Sequence, residues 1–266
     1  MAPLVKEFQG NNEYFETKVC VTAQHREMLD QVLVFFEITP DYDLNLMKPN
    51  QNLYSLTGDI INGLKPVLEE FQPDYVFVHG DTTTTMAGSI AAFYSGAKVC
   101  HVEAGLRTHN KWAPFPEEIN RQITGRVSDY HFAPTNTSKE NLIKENIGEE
   151  TVLVTGNTVI DALLKSVEKV NENPSELIKH LSKKIGNKEV VLVTGHRRQT
   201  HGEGFERICN ALKRIALDDV NRLIIYPVHL NHKLQEPVIR ILSEVTNVIL
   251  IDPLAYQDFI WLMNRS

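Results

Sequence analysis

The chain is short of cysteine: Cys20, Cys100 and Cys209 are the only three in 266 residues, and no CxxC or other paired spacing links them. Each lies in or beside an apolar segment. That excludes a disulfide framework or a zinc ribbon and leaves reduced core residues. Basic charge is short as well, with 27 Lys and Arg against 34 Asp and Glu and a net charge of −7. A nucleic-acid role therefore has no global electrostatic support, and any phosphate site must be local. No apolar run approaches the ~20 residues of a membrane helix. The N-terminus also lacks the basic stretch and continuous apolar segment of a signal peptide. The expectation is a soluble cytoplasmic protein with no nucleic-acid or membrane partner.

Several catalytic signatures are missing too. HExxH, the P-loop, GxGxxG and zinc spacings do not occur, so neither a metal nor a cofactor is expected. Tyr94-Ser95-Gly96-Ala97-Lys98 fits the YxxxK of short-chain dehydrogenases. That pair needs one continuous helical turn, and Gly96 should end the helix before Lys98 enters a strand. Internal repeats and low-complexity segments are also absent.

What is present is α/β alternation. The apolar run Tyr75-Val76-Phe77-Val78 feeds His79-Gly80-Asp81-Thr82 and then a small-residue helix through Ala87, Gly88, Ala91 and Ala92. This reads as strand, turn, helix, with Asp81 at the mouth of a parallel strand, where open α/β sheets bind ligands. Helix capping alone would also account for Asp81 and its threonines. Lys98–Glu103 is the next strand, so Glu103 also sits at a strand end. Glu117 opens a helix after Trp112-Ala113-Pro114-Phe115-Pro116. Other strands are expected at 18–23, near Leu44 and Leu46, and at 129–133, 151–155, 189–194, 222–226 and 248–251. Helices are expected from about His25 to Phe36, Leu53 to Phe71, Ser138 to Glu145, Asn157 to Val170, Phe205 to Ala216, Lys233 to Ser243 and Tyr256 to Met263. The polar stretch Asn171-Glu172-Asn173-Pro174 suggests a linker, dividing residues 1–170 from residues 171–266.

Clustered carboxylates shift each other's pKa, so Asp81, Glu103 and Glu117 together suit acid/base chemistry. Thr194-Gly195-His196-Arg197-Arg198 follows another strand and, with Gly202 and Gly204, makes a plausible phosphate cradle. Pro227-Val228-His229 ends the strand after it.

Six segments now stand in order: His79–Thr85, His101–Arg107, Phe115–Arg121, Thr155–Asp161, Thr194–Arg198 and Tyr226–Asn231. With Val21–Asp30, they closely resemble the bacterial non-hydrolysing UDP-N-acetylglucosamine 2-epimerases, over essentially the whole chain. The resemblance implies a glycosyltransferase-B-like fold of two Rossmann-like domains with parallel sheets. It implies interconversion of UDP-GlcNAc and UDP-ManNAc through a 2-acetamidoglucal, for cell-surface polysaccharide, by a homodimer. It makes Asp81, Glu103, Glu117 and His196 catalytic and Arg121 substrate-binding. Gln24, Gln51, Arg197 and His229 match the region where family members bind a second UDP-GlcNAc as activator. The family's first strand with its glycine-threonine-arginine-proline-glutamate turn has no match before Met1, and its aspartate-serine-glycine-glycine segment has none before Ser266. The expectation is a fragment with an incomplete second domain, inactive alone. The alternatives are a hydrolysing relative that releases free ManNAc and a binding module without turnover.

Overall fold

The computed structural model of the chain describes residues 1–23, 26–48, 51–194, 203–228 and 232–266. It divides into two compact units, Met1–Ala162 and Leu163–Ser266. The fold is α/β of the glycosyltransferase-B-like type, with Rossmann-like parallel sheets. No helix among the described residues is long and apolar enough to cross a membrane.

The first unit opens with helix α1 (Ala2–Gly10), strand β1 (Cys20–Val21), helix α2 (Arg26–Phe35) and strand β2 (Tyr42–Asp43). β1 and β2 pair in parallel. The extended segment expected around Leu44 and Leu46 is placed earlier, because Asn45 turns to φ +45° and interrupts the ladder. Leu44 N and Leu46 N still donate to Val21 O and Thr22 O. Helix α3 (Leu53–Phe71) starts on a reciprocal Asn52–Ser55 capping box and ends at Gln72 in the left-handed region.

A four-stranded parallel sheet follows, in the order β3 (Tyr75–His79), β4 (Lys98–Val102), β5 (Tyr130–Ala133) and β6 (Val152–Val154). Parallel strands need crossovers, and helices α4 (Thr83–Ser95), α5 (Glu117–Val127) and α6 (Asn136–Lys144) supply them. Ala87, Gly88, Ala91 and Ala92 are buried on α4, whose small residues allow close packing. Gly96, at φ +84°, ends α4, and Lys98 begins β4. Tyr94 and Lys98 therefore share no helical turn.

Helix α7 (Thr158–Glu172) runs across the division between the units. The second unit contains α8 (Glu176–Ile185), β7 (Glu189–Leu192), α9 (Glu203–Asp218), β8 (Arg222–Pro227), α10 (His232–Leu242), β9 (Val248–Ile251) and α11 (Tyr256–Arg265). The strands form a parallel sheet in the order β7-β8-β9. β8 is apolar on both faces, as a sheet covered on two sides requires. Ile224 and Tyr226 join a core with Phe205, Cys209, Leu212 and Val238. Leu223 and Ile225 join a second core with Leu181, Ile185 and Leu262.

Helix α8 stands where no helix is expected from the sequence, because the polar residues before it read as a linker. Its signals are present nevertheless. Ser175 Oγ accepts from Ile178 N as the N-cap, and Ile178, Leu181 and Ile185 recur at helical spacing on the buried face.

Candidate active site

The site is built at the C-terminal ends of β3 and β4. After His79 the chain turns at Gly80, φ +75°, whose N–H donates to Val102 O at 3.0 Å. Asp81 follows immediately. Thr82 then caps α4 by accepting from Thr85 N at 3.2 Å, and Thr85 Oγ1 donates back to His79 O at 2.5 Å. The turn is thus tied to both the strand before it and the helix after it.

A third tie comes from His101 on β4, which is completely buried. Its Nε2 lies 2.8 Å from Gly80 O, and its Nδ1 is buried without a hydrogen-bond partner among the described residues. Burial pushes the ring's pKa down to about 4. The imidazole is therefore neutral at pH 7, and a proton on Nε2 lets it donate to the carbonyl.

Glu103, one residue beyond β4, adopts φ +65°, a left-handed conformation unusual for a residue with a side chain. Its Oε1 accepts from Asn157 Nδ2 at 2.6 Å, and its Oε2 lies 3.6 Å from His79 Nε2. A Cβ added to Gly80 would stand 3.4 Å from the same Oε2. Two residues on, Gly105 takes φ +87°, and a Cβ there would collide with the Ser138 carbonyl. The close approach lets Asn141 Nδ2 donate to Gly105 O at 3.0 Å. Arg107 then makes a paired contact with Glu145, at 2.7 and 2.8 Å.

The opening of α5 contributes the third carboxylate. Glu117 is partly buried, and its Oε2 has no hydrogen-bond partner among the described residues. Glu118, fully buried beside it, instead receives Thr108 N at 3.0 Å, His109 N at 3.2 Å and Gln122 Nε2 at 2.9 Å. Burial opposes its ionisation, but these donors outweigh burial and hold the pKa below the ordinary carboxylate value. One turn further, Asn120 Nδ2 donates to Asp81 O at 3.0 Å, and Arg121 Nη2 pairs with Asp81 Oδ2 at 2.9 Å. Arg121 Nε faces Glu118 Oε2 at 3.7 Å.

Asp81 sits at the centre of these fields. Burial raises its pKa above the ordinary value; Arg121 pulls it down, while Glu117 and Glu103 push it up. The structure therefore brings Asp81, Glu103, Glu117 and Arg121 into one electrostatic neighbourhood. Such an arrangement can accept and return a proton while stabilising developing positive charge.

Of the remaining candidates, Gln51 donates through Nε2 to Leu46 O at 2.8 Å, just before α3. His196, Arg197, Gln24 and His229 lie outside the described residues, as do Arg198 and Gly202 of the expected phosphate cradle. Among the described residues no group of three His, Cys, Asp or Glu side chains could hold a metal ion. In the second unit a cavity of about 510 Å³ opens beyond β8 and β9, lined by Val228, Leu250, Ile251, Pro253, Leu254 and Asp258 among others. The sequence alone assigns no role to His101, Glu118, Asn120 or Asn157. Their one legible signal is position, since each lies in or beside a motif that ends a strand or opens a helix.

A family model described as UDP-N-acetylglucosamine 2-epimerase matches residues 6–266. The UDP-N-acetylglucosamine 2-epimerase of Salmonella typhimurium strain LT2 is 55% identical over 269 residues, covering 100% of this chain and 71% of that relative. Among solved structures, the UDP-GlcNAc 2-epimerase of Neisseria meningitidis bound to UDP-GlcNAc superposes with a TM-score of 0.87 at 50% identity. That match covers 100% of this chain and 72% of the other. The UDP-GlcNAc 2-epimerase of Methanocaldococcus jannaschii, in complex with UDP-GlcNAc and UDP, gives a TM-score of 0.77 at 27% identity over 99% of this chain and 72% of the other.

Proposed function

The chain belongs to the UDP-N-acetylglucosamine 2-epimerase family, an isomerase family, and on that premise we propose that it interconverts UDP-GlcNAc and UDP-ManNAc without net hydrolysis. The observation that carries this reading is the convergence of Asp81, Glu103 and Glu117, with Arg121 on Asp81, at the strand ends of one parallel sheet. The C2 proton of the sugar has no adjacent carbonyl to acidify it. Departure of UDP builds positive charge at C1, which acidifies C2–H and which carboxylates stabilise. In the elimination the C1–O bond breaks with its electron pair leaving on UDP. A carboxylate takes the C2 proton, and C1=C2 forms in a 2-acetamidoglucal. Re-addition returns a proton to the opposite face of C2 and restores the bond from C1 to UDP.

In this reading residues 1–170 carry the carboxylates and residues 171–266 belong to a UDP-binding domain. The cavity beyond β8 and β9 takes the nucleoside, consistent with ligand binding at the carboxyl ends of parallel strands. His196 meets the diphosphate, and Gln24, Gln51, Arg197 and His229 belong to an activator subsite. We place the protein in the cytoplasm as a homodimer that supplies ManNAc units for surface polysaccharide.

Proton NMR of UDP-GlcNAc incubated in D2O with the full-length protein tests this. UDP-ManNAc should accumulate to equilibrium, with deuterium entering C2 of both sugars. Free ManNAc appearing without UDP-ManNAc would overturn it in favour of a hydrolysing enzyme. Binding without any turnover would leave only a nucleotide-sugar-binding module.

A further inference from the structure

We propose that Asn157 is a positioning residue for the reaction, holding Glu103 so that Oε2 is the oxygen presented to substrate. The inference rests on the epimerase reading, but its geometry stands apart from it. Asn157 follows β6, two strands away from β4 in the sheet order, and 54 residues separate it from Glu103. Its Oδ1 accepts from Val159 N at 3.0 Å, capping the start of α7. That bond fixes which end of the amide is which, and so directs Nδ2 toward Glu103 Oε1 at 2.6 Å. A neutral donor on a carboxylate makes a short, charge-assisted bond. Glu103 needs such restraint because it lies in the left-handed region one residue beyond β4, where the register that pairs Val102 with His79 and Phe132 has ended.

Oε1 is thereby committed to Asn157. Around Oε2 stand His79 Nε2, at 3.6 Å and so beyond hydrogen-bond length, and the bare α-carbon side of Gly80. Gly80 serves two purposes here: its φ of +75° suits the turn, and its missing side chain keeps Oε2 uncovered. Among the described residues, the titratable side chains facing Glu103 are His79 and Asp81 from the β3 end.

The Asn157→Asp variant separates positioning from folding. Aspartate can still accept from Val159 N, so the α7 cap is kept, while the donor to Glu103 is replaced by a second carboxyl. Two carboxyls in contact share one proton and titrate as a pair. While the introduced carboxyl is protonated it can donate to Glu103 much as the amide does. When the shared proton leaves, the two repel and Glu103 loses its placement. In the full-length protein, kcat of Asn157→Asp relative to the parent should therefore fall as pH rises, along a further alkaline limb set by the introduced carboxyl pair. Asn157→Ala should lower kcat by about 10- to 100-fold at all pH values with a smaller change in KM. Melting temperature as a function of pH provides a readout that needs no activity, and Asn157→Asp should show the same limb there relative to the parent. A parent-like pH profile of both rate and melting in Asn157→Asp, or an unchanged kcat in Asn157→Ala, would overturn the proposal. A parent protein with no epimerase activity would instead overturn the functional reading, and the melting profile would still decide the Asn157–Glu103 contact.

Discussion

The buried imidazole of His101 offers a quantitative test of how the Asp81 turn is held. Its ordinary pKa is 6.5, and burial in the folded chain takes it to about 4. Above pH 6.5 the ring is neutral in both folded and unfolded states, so the folded chain has its full stability. As pH falls below 6.5 the unfolded chain binds a proton that the folded chain refuses, and stability is lost until the folded ring also titrates near 4. Linkage puts this loss at about 2 kcal/mol by about pH 5 and about 3 kcal/mol when complete. His79 and His131 are also lowered, chiefly by burial, and act in the same direction. Asp81, raised chiefly by burial, acts in the opposite one. The perturbation that isolates His101 is His101→Gln, whose amide nitrogen can replace Nε2 as donor to Gly80 O without titrating. Urea denaturation of both proteins at about pH 7.5 and about pH 5 gives the four free energies needed. The variant should lose about 2 kcal/mol less between those pH values. Equal losses in the two proteins would refute the account of a neutral ring donating to the turn.

Three other changes probe separate parts of the structure. Gly105→Ala places a Cβ against the Ser138 carbonyl at φ +87° and should cost at least about 2 kcal/mol, read as a lowered melting temperature; an unchanged melting temperature would contradict the close approach. Asp81→Asn should reduce epimerase kcat by about 100-fold or more while calorimetry shows UDP still bound; a rate within about twofold of the parent would remove Asp81 from the chemistry. Ser175→Ala removes both the α8 cap and the 2.5 Å contact from Ser175 Oγ to Asp258 Oδ1. It should cost about 1–2 kcal/mol in urea denaturation, and a neutral result would mean that α8 is held by its apolar face alone.

Much of the fold can be read from apolar periodicity. Leu53–Phe71 stands as a helix with the bounds its pattern suggests, and the strands leading to Asp81 and Glu103 end where their apolar runs end. Those strand ends are legible because short, mainly apolar runs stop at turn residues, Gly80 after β3 and Ala104-Gly105 after β4. Helix α8 is obscured because Asn171 and Asn173 raise the polarity just ahead of it, while its cap and apolar stripe are ordinary. The supports of the site are harder to read for a different reason. His101 reaches Gly80 across 21 residues, Asn120 reaches Asp81 across 39 and Asn157 reaches Glu103 across 54. Each contact depends on strand order and register, which local spacing does not encode. A buried Glu118 beside a site carboxylate looks redundant in sequence, yet one carboxyl takes two backbone N–H groups from the preceding loop and the other keeps an oxygen unpaired among the described residues.

The first two turns of α5 behave as one machined part. Glu118, Asn120 and Arg121 meet a loop, a backbone carbonyl and a side-chain carboxylate respectively, while one oxygen of Glu117 has no hydrogen-bond partner among the described residues. A helix turns about 100° per residue, so adding or removing a residue between 117 and 121 would aim each of these groups at the wrong neighbour. Between 109 and 116 the same indel would be absorbed only if the loop could still deliver Thr108 N and His109 N to Glu118. Length variation among working sequences should thus stop short of this helix, whereas side chains on the exposed loop before the Phe115–Arg121 motif, Trp112 included, are free to diverge.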